Sequence, residues 1–254
     1  MDDNFTKKNK KLIKLMSSDI EFKKLSKLWM DTSLKYEYSY HFNWLGRPII
    51  QHPQDILALQ EIIWEVKPDL IIETGIAHGG SLIFSASILE LIGKGQVLGI
   101  DIDIRKHNKQ EIEKHSMFKR ITMIQGSSID KNIVKKVKKF AENKKKVLLI
   151  LDSNHSHKHV LKELNSYSSL VTKGSYIIVF DTIIEEIPEK LIQNRPWSAK
   201  DNPKTAVRKF LKNDDRFKID KKMDNKLLIT AAPEGYLKCI KNYNKKKILN
   251  SKLL

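Results

Sequence analysis

Asp69-Leu70-Ile71-Ile72-Glu73-Thr74-Gly75-Ile76-Ala77-His78-Gly79-Gly80-Ser81 is the stretch that decides the fold. Its first six residues are a short apolar run, rich in β-branched side chains and bounded by Pro68 and Gly75. Such a run reads as a strand covered on both faces, as in a parallel sheet packed between helices. The glycines that follow permit a tight turn and a close backbone approach to a ligand, and the segment Gly80 to Ile92 reads as a helix whose free N–H groups face that ligand.

Working outward, the same alternation repeats. Apolar runs at Gln96 to Asp101, Ile121 to Gln125, Val147 to Asp152 and Ser175 to Asp181 read as further strands. Helical spacing is read over Gln54 to Val66, Ile129 to Phe140, His155 to Leu170 and Pro203 to Leu211. Repeated βα units with short connections predict an α/β fold: a doubly wound, mostly parallel sheet with helices on both faces. Phe217 to Asp220 and Lys226 to Thr230, separated by a turn-like Lys221 to Asn225, predict an antiparallel C-terminal edge hairpin.

The 254 residues, 41% of them hydrophobic, are enough for one domain with a full core. The expected division is a basic helical and aromatic arm over 1–45, the main domain over 46–240 and a basic tail over 241–254. Residues 1 to about 35 read as one basic amphipathic helix, and the aromatic stretch from Tyr36 to Trp44 as a packing arm laid over the core or a wall of a substrate pocket. The segment from Thr182 to Asn202 is too long for an ordinary connection and carries Arg195-Pro196-Trp197, which suits a lid over a substrate.

The net charge of +17 comes from 47 Lys plus Arg against 30 Asp plus Glu. The lysines are scattered, as in Lys144-Lys145-Lys146, so solvated faces account for them better than a nucleic-acid surface does. Cys239 is the only cysteine, which excludes an intrachain disulfide and fits a reducing compartment. No stretch approaches a spanning helix, and the amino terminus lacks the apolar core of a signal peptide. The expected location is cytoplasmic.

In open α/β sheets, ligands bind outside the carboxyl ends of the strands. At the second strand's end, Asp101 is placed to accept hydrogen bonds from two ribose hydroxyls, which marks a nucleoside cofactor; S-adenosylmethionine and dinucleotides would both use it. After the third strand, Ser127 and Ser128 can face an adenine edge, or Ser128 can be a helix N-cap. Asp152 and Asp181 end the fourth and fifth strands, and such a pair suits a divalent cation such as Mg²⁺, although either can instead cap a helix. His155, beside Asp152, is placed as a general base toward a substrate hydroxyl. With His157 and His159 it also forms a His-rich tract of the kind that can hold Zn²⁺, in which His155 and His159 would share a helix face. His159 reads rather as a surface or packing residue.

These residues, with Asn43-Trp44-Leu45-Gly46, Gly99-Ile100-Asp101-Ile102-Asp103, Gly126-Ser127-Ser128-Ile129-Asp130, Leu151-Asp152-Ser153-Asn154-His155, Arg195-Pro196-Trp197, Asn202-Pro203-Lys204-Thr205 and Pro233-Glu234-Gly235-Tyr236, resemble the cephalosporin hydroxylase and rhamnosyl O-methyltransferase family. The resemblance runs from about Tyr40 to Ile240. It implies a class I methyltransferase-like Rossmann fold, S-adenosylmethionine as cofactor, a divalent metal near the methyl donor, and a sugar, glycan or natural-product acceptor. Carried over by residue, it implies cofactor contacts from Glu73, Gly75, His78, Gly79 and Asp101, and metal ligands at Asp152 and Asp181. Ser81, Ser127, Ser128 and Asp152 complete the expected cofactor set, and Arg195 with Trp197 the acceptor set. Phe180 departs from the pattern, because family members often place an acid there; its loss would leave more waters on the ion.

The expected reaction is methyl transfer to a hydroxyl, with homo-oligomerisation open. The alternatives are a hydroxylase-like enzyme of natural-product biosynthesis, a nucleic-acid methyltransferase, a nicotinamide-dependent oxidoreductase prompted by the Gly75, Ala77, Gly80 spacing, and a cofactor-binding partner without turnover. No two-His-one-carboxylate iron triad or haem-ligand signature is visible. The lone Tyr-x-x-x-Lys match, Tyr243 to Lys247, sits in a lysine-rich tail where it arises by chance.

Overall fold

The apolar runs assemble into one seven-stranded sheet in a computed structural model that describes residues 3–191 and 195–243. The strands are β1 (Leu70–Thr74), β2 (Gln96–Asp101), β3 (Ile121–Gln125), β4 (Val147–Leu151), β5 (Tyr176–Val179), β6 (Phe217–Ile219) and β7 (Tyr236–Cys239). Their order across the sheet is β3-β2-β1-β4-β5-β7-β6. All neighbours from β3 through β5 pair in parallel, while β7 runs antiparallel to both β5 and β6. The order reverses between β1 and β4, so the crevice at their carboxyl ends is the switch point of the sheet.

The helices are α1 (Asp3–Ser18), α2 (Ile20–Leu34), α3 (Pro53–Val66), α4 (Gly80–Ile92), α5 (Lys106–Lys114), α6 (Lys131–Phe140), α7 (His157–Tyr167), α8 (Pro203–Asn213) and α9 (Lys221–Leu227). Side chains alternate across the strands. Ile71, Leu148, Ile150 and Ile178 enter the core under α3 and α4. Leu70, Ile72, Leu149, Leu151 and Ile177 enter the core under α6, α7 and α8. Both faces of the central strands are fully buried, which is why these runs carry no polar alternation.

Several expectations need correction. The segment expected as one helix is, from Asp3 onward, two helices, because Asp19 takes an extended backbone and its side chain accepts the Phe22 amide, starting α2 afresh. The second edge strand is Tyr236–Cys239, not Lys226 to Thr230, whose first residues finish α9. Lys221–Leu227 forms a helix instead of a turn, capped by Asp220 through the Lys222 amide. A helix not anticipated from the sequence, α5, fills the β2–β3 connection. The helix expected from Ile129 begins at Lys131, because Asp130 is its N-cap, accepting the amides of Asn132 and Ile133; Ser128 is not the cap. The helix expected from His155 begins at His157 and ends at Tyr167, followed by a 3₁₀ turn over Ser168–Leu170. Of the basic tail expected over 241–254, residues 244–254 lie outside the described residues, and with them most of the Tyr243 to Lys247 match.

Candidate active site

The β1–α4 turn is held in shape before any ligand arrives. Gly75 has φ +93°, and a β-carbon on it would meet the Asp152 carbonyl oxygen at 2.1 Å. Ala77 sits in the left-handed region at φ +45°, a conformation that needs support from its surroundings. That support comes from Asp101, whose Oδ2 accepts the amides of Ile76 (2.7 Å) and Ala77 (3.3 Å), and from Asn108, which donates to the Ala77 carbonyl (3.0 Å). The Arg47 guanidinium donates to the His78 carbonyl (2.6 Å) and to Asn108 Oδ1 (3.1 Å). Arg47 and Asn108 belong to no motif, and the sequence reading missed both.

Glu73 points from β1 under this turn and is 1% exposed. Ser81 donates its hydroxyl to Glu73 Oε1, while Oε2 is buried with no partner. Burial pushes the Glu73 carboxyl up from its ordinary 4.5 to about 7. Both Glu73 and Ser81 line a small enclosed space with Gln51 and Asp152. Gly75, Ala77, His78 and Ser81 line an adjoining crevice, again with Gln51 and Asp152. Ser127 is half-buried, whereas Ser128 is buried and donates to Glu163 (2.6 Å).

Asp152, His155 and Asp181 come together at the ends of β4 and β5. One ligand atom from each lies within 4.8 Å of the others. His155 precedes α7, so it shares no helix face with His159, and its Nδ1 lies 3.2 Å from Asp181 Oδ2. Asp181 takes the left-handed conformation at φ +57°, which an aspartate tolerates better than most residues. Gln51 donates to Asp152 Oδ2 (2.9 Å), a contact with no sequence signal because a lone glutamine before a helix has no fixed meaning. Burial, and then the charges of Asp181 and Glu73, raise the Asp152 carboxyl well above the usual range. A site that concentrates carboxylates in this way favours a cation. Phe180, where an acid was looked for, is buried in the core under α3 and α4.

The other two histidines are used elsewhere. His157 Nδ1 pairs with the Thr205 hydroxyl (2.8 Å) and so ties α7 to α8. His159 Nε2 lies 3.0 Å from the Ser128 hydroxyl and 3.4 Å from Glu163. The three histidines therefore do not form a zinc site.

Asp152, His155 and Asp181 open onto a cleft of about 500 Å³. Tyr38, Tyr40 and His52 line it, as do Arg195 and Trp197. Trp197 meets the His155 ring edge-on (4.8 Å between centroids), and the Arg195 guanidinium lies 5.6 Å from the Trp197 ring centre. His52 stacks on Tyr38 with centroids 6.2 Å apart; its Nδ1 is buried without a partner, and burial lowers its pKa. His52 was also missed, since nothing in its sequence neighbourhood distinguishes it. The aromatic stretch after α2 thus does two things: Phe42 and Trp44 pack against the core, and Tyr38 and Tyr40 line the cleft.

A doubly wound sheet with a glycine turn at its switch point and an acid ending the adjacent strand defines a nucleoside-cofactor-binding α/β protein of the Rossmann-like class. Its antiparallel β7, inserted between β5 and β6, separates it from the usual dinucleotide-binding order 3-2-1-4-5-6. The chain belongs to the rhamnosyl O-methyltransferase/CmcI family, whose family model matches residues 36–240. A rhamnosyl O-methyltransferase of Mycobacterium tuberculosis is 31% identical over 191 residues, covering 72% of this chain and 72% of that protein. One of Mycobacterium leprae is 31% identical over 147 residues, covering 57% of this chain and 62% of that protein. Among solved structures, CmcI in an Mg–SAM form superposes with a TM-score of 0.57 at 19% identity, over 80% of this chain and 78% of that one. Its apo structure gives 0.56 at 20%, over 80% and 77%. The fold is therefore the methyltransferase-like one that the resemblance implied.

Proposed function

We propose that this chain transfers the methyl group of S-adenosylmethionine to a hydroxyl of a saccharide or related small-molecule acceptor in the cytoplasm. The observation that carries this reading is the arrangement, in a member of this family, of the Asp152–His155–Asp181 group between a preorganised glycine turn and an open cleft.

The residues fit the cofactor. The Asp152 backbone leaves no room for a side chain at Gly75 beside the crevice, and Glu73 Oε2 is a buried acceptor in want of a donor such as an ammonium or hydroxyl. Asp101 uses its carboxylate partly on the turn and is still half-exposed, which leaves acceptor capacity for ribose hydroxyls. The two carboxylates of the Asp152–His155–Asp181 group also fit a divalent cation. Asp152 and Asp181 would hold it, and such an ion lowers the pKa of a hydroxyl bound to it. His155, with Nδ1 turned to Asp181, presents Nε2 as an acceptor for the hydroxyl proton. As the acceptor oxygen forms its bond to the methyl carbon, the carbon–sulfur bond breaks in line and S-adenosylhomocysteine leaves. Positioning lowers much of the barrier, and Trp197 and Arg195 would hold the acceptor against His155. An arginine there also suits a phosphate or carboxylate on the acceptor.

Calorimetric titration with S-adenosylhomocysteine, in parallel with NAD and with and without Mg²⁺, tests this reading. Micromolar binding of the homocysteine compound and none of NAD is expected. Binding of NAD instead, or of neither, would remove the methyltransferase assignment.

A further inference from the structure

Of the fifteen large apolar side chains left exposed among the described residues, eight lie between Phe5 and Tyr36. That concentration is unusual for a surface, where exposed apolar residues are normally scattered. α1 buries none of its residues, although it touches α9. Phe5, Leu12 and Met16 fall on one side of α1, flanked by Leu15 and Ile13, with Phe5 at 58% and Leu15 at 57% exposure. Lys7, Lys10, Lys11 and Lys14 occupy the opposite side and Lys8 falls between Leu12 and Leu15; all five are exposed, and Lys7 is paired to Asp3. On α2, Phe22, Leu25 and Leu28 are exposed while Ser26, Met30 and Ser33 pack inward, and Met30 and Ser33 also line the cleft. The family model matches from residue 36 onward, so both helices lie outside the residues it matches.

We propose that α1, with the exposed face of α2, docks this protein on an anionic membrane surface. An apolar strip bordered by lysines is the composition of a helix lying in the plane of a bilayer interface, its apolar side chains among the acyl chains and its lysines reaching the headgroups. Charge complementarity selects this occupant over a second copy of the chain. Two copies meeting through α1 would bring two lysine rows together, whereas anionic lipid neutralises one. A nucleic acid would satisfy the lysines but leave Phe5, Leu12 and Leu15 in water. No described helix crosses a membrane, so the attachment is peripheral.

The test is sedimentation of the full chain with vesicles of phosphatidylcholine alone, and of phosphatidylcholine and phosphatidylglycerol in equal parts. Binding to the mixed vesicles only, weakened by salt, is expected. Lys10→Glu, Lys11→Glu and Lys14→Glu together should lower partitioning at least about 100-fold, and Leu12→Ser with Leu15→Ser at least about tenfold. Both variants should keep the parent's circular dichroism and melting temperature, because α1 buries nothing. Equal binding to both vesicles, binding to neither, or a self-association in sedimentation velocity that the serine variant abolishes would overturn the proposal. None of these readouts depends on whether the chain binds S-adenosylmethionine.

Discussion

Gly75 and the carbonyl of Asp152 approach so closely that a β-carbon on Gly75 would lie 2.1 Å from the Asp152 oxygen. This contact joins the end of β1 to the end of β4 across the switch point, and so joins the glycine turn to the first carboxylate of the candidate metal site. Gly75→Ala would have to spread these two strand ends and hold φ near +93°, which an alanine resists. The expected cost is about 1–3 kcal/mol in chemical denaturation, from the same overcrowding that penalises added core atoms. S-adenosylhomocysteine binding should be lost in the fraction that folds. A variant with parental stability and affinity would show that the approach is not needed.

Asp101 braces the turn through two backbone amides and is the residue proposed to meet the cofactor's ribose. Asp101→Ala leaves the Ile76 and Ala77 amides without their acceptor, a loss of about 1–3 kcal/mol if water does not replace it. Calorimetry should show S-adenosylhomocysteine affinity falling by at least about tenfold. Asp101→Asn keeps one oxygen that can accept both amides, as Oδ2 does, but loses the charge, and should fall between the alanine variant and the parent.

Glu73 makes stability depend on pH in a stated direction. Its carboxyl stands at about 7 in the folded chain against an ordinary 4.5, so the unfolded chain releases the proton first as pH rises. Stability is unaffected below about 4.5, falls as pH climbs toward 7, and levels above that, by at most about 3 kcal/mol. Glu73→Gln keeps an acceptor for Ser81 and cannot ionise, so denaturation midpoints should flatten over this window and rise at pH 8. A decline of the same size in the glutamine variant would assign it to another group.

On the proposed mechanism Asp181 serves ion binding and His155 proton transfer, and two variants separate these roles. Asp181→Asn should weaken Mg²⁺ binding and reduce turnover while S-adenosylhomocysteine affinity stays near the parent's. His155→Ala should lower kcat by about 100-fold or more with little change in cofactor affinity. Full activity without added metal in the Asp181 variant would exclude the ion from the reaction.

Much of the sheet was legible because its central strands are buried on both faces, so Leu70 to Ile72 and Val147 to Leu151 leave unbroken apolar runs. The edges were less legible. Lys226 to Thr230 has strand-like residues, but Lys221–Leu227 gains a cap from Asp220, and Asp55 takes the Thr230 hydroxyl and the Ala231 amide, holding that segment out of the sheet. The α5 helix, mean composition strongly polar, buries only Asn108 and Ile112 and gives little periodic signal.

At the site, the strand-end residues Glu73, Gly75, Asp101, Asp152 and Asp181 could be named from sequence, because in a parallel sheet the carboxyl end of each strand must open on the same side. Gln51, His52, Arg47 and Asn108 could not. They reach the site from segments far in the chain from the groups they meet, and their roles depend on distances set by packing: Gln51 on Asp152, Arg47 on the turn. Sequence by itself determined the five parallel strands and the residues that end them, since burial on two faces and glycine turns write local patterns. Only the tertiary structure decided which helix follows Asp220, that His155 stands apart from His159 beside Asp181, and which side chains close the cleft, because those outcomes rest on contacts between segments far apart in the chain.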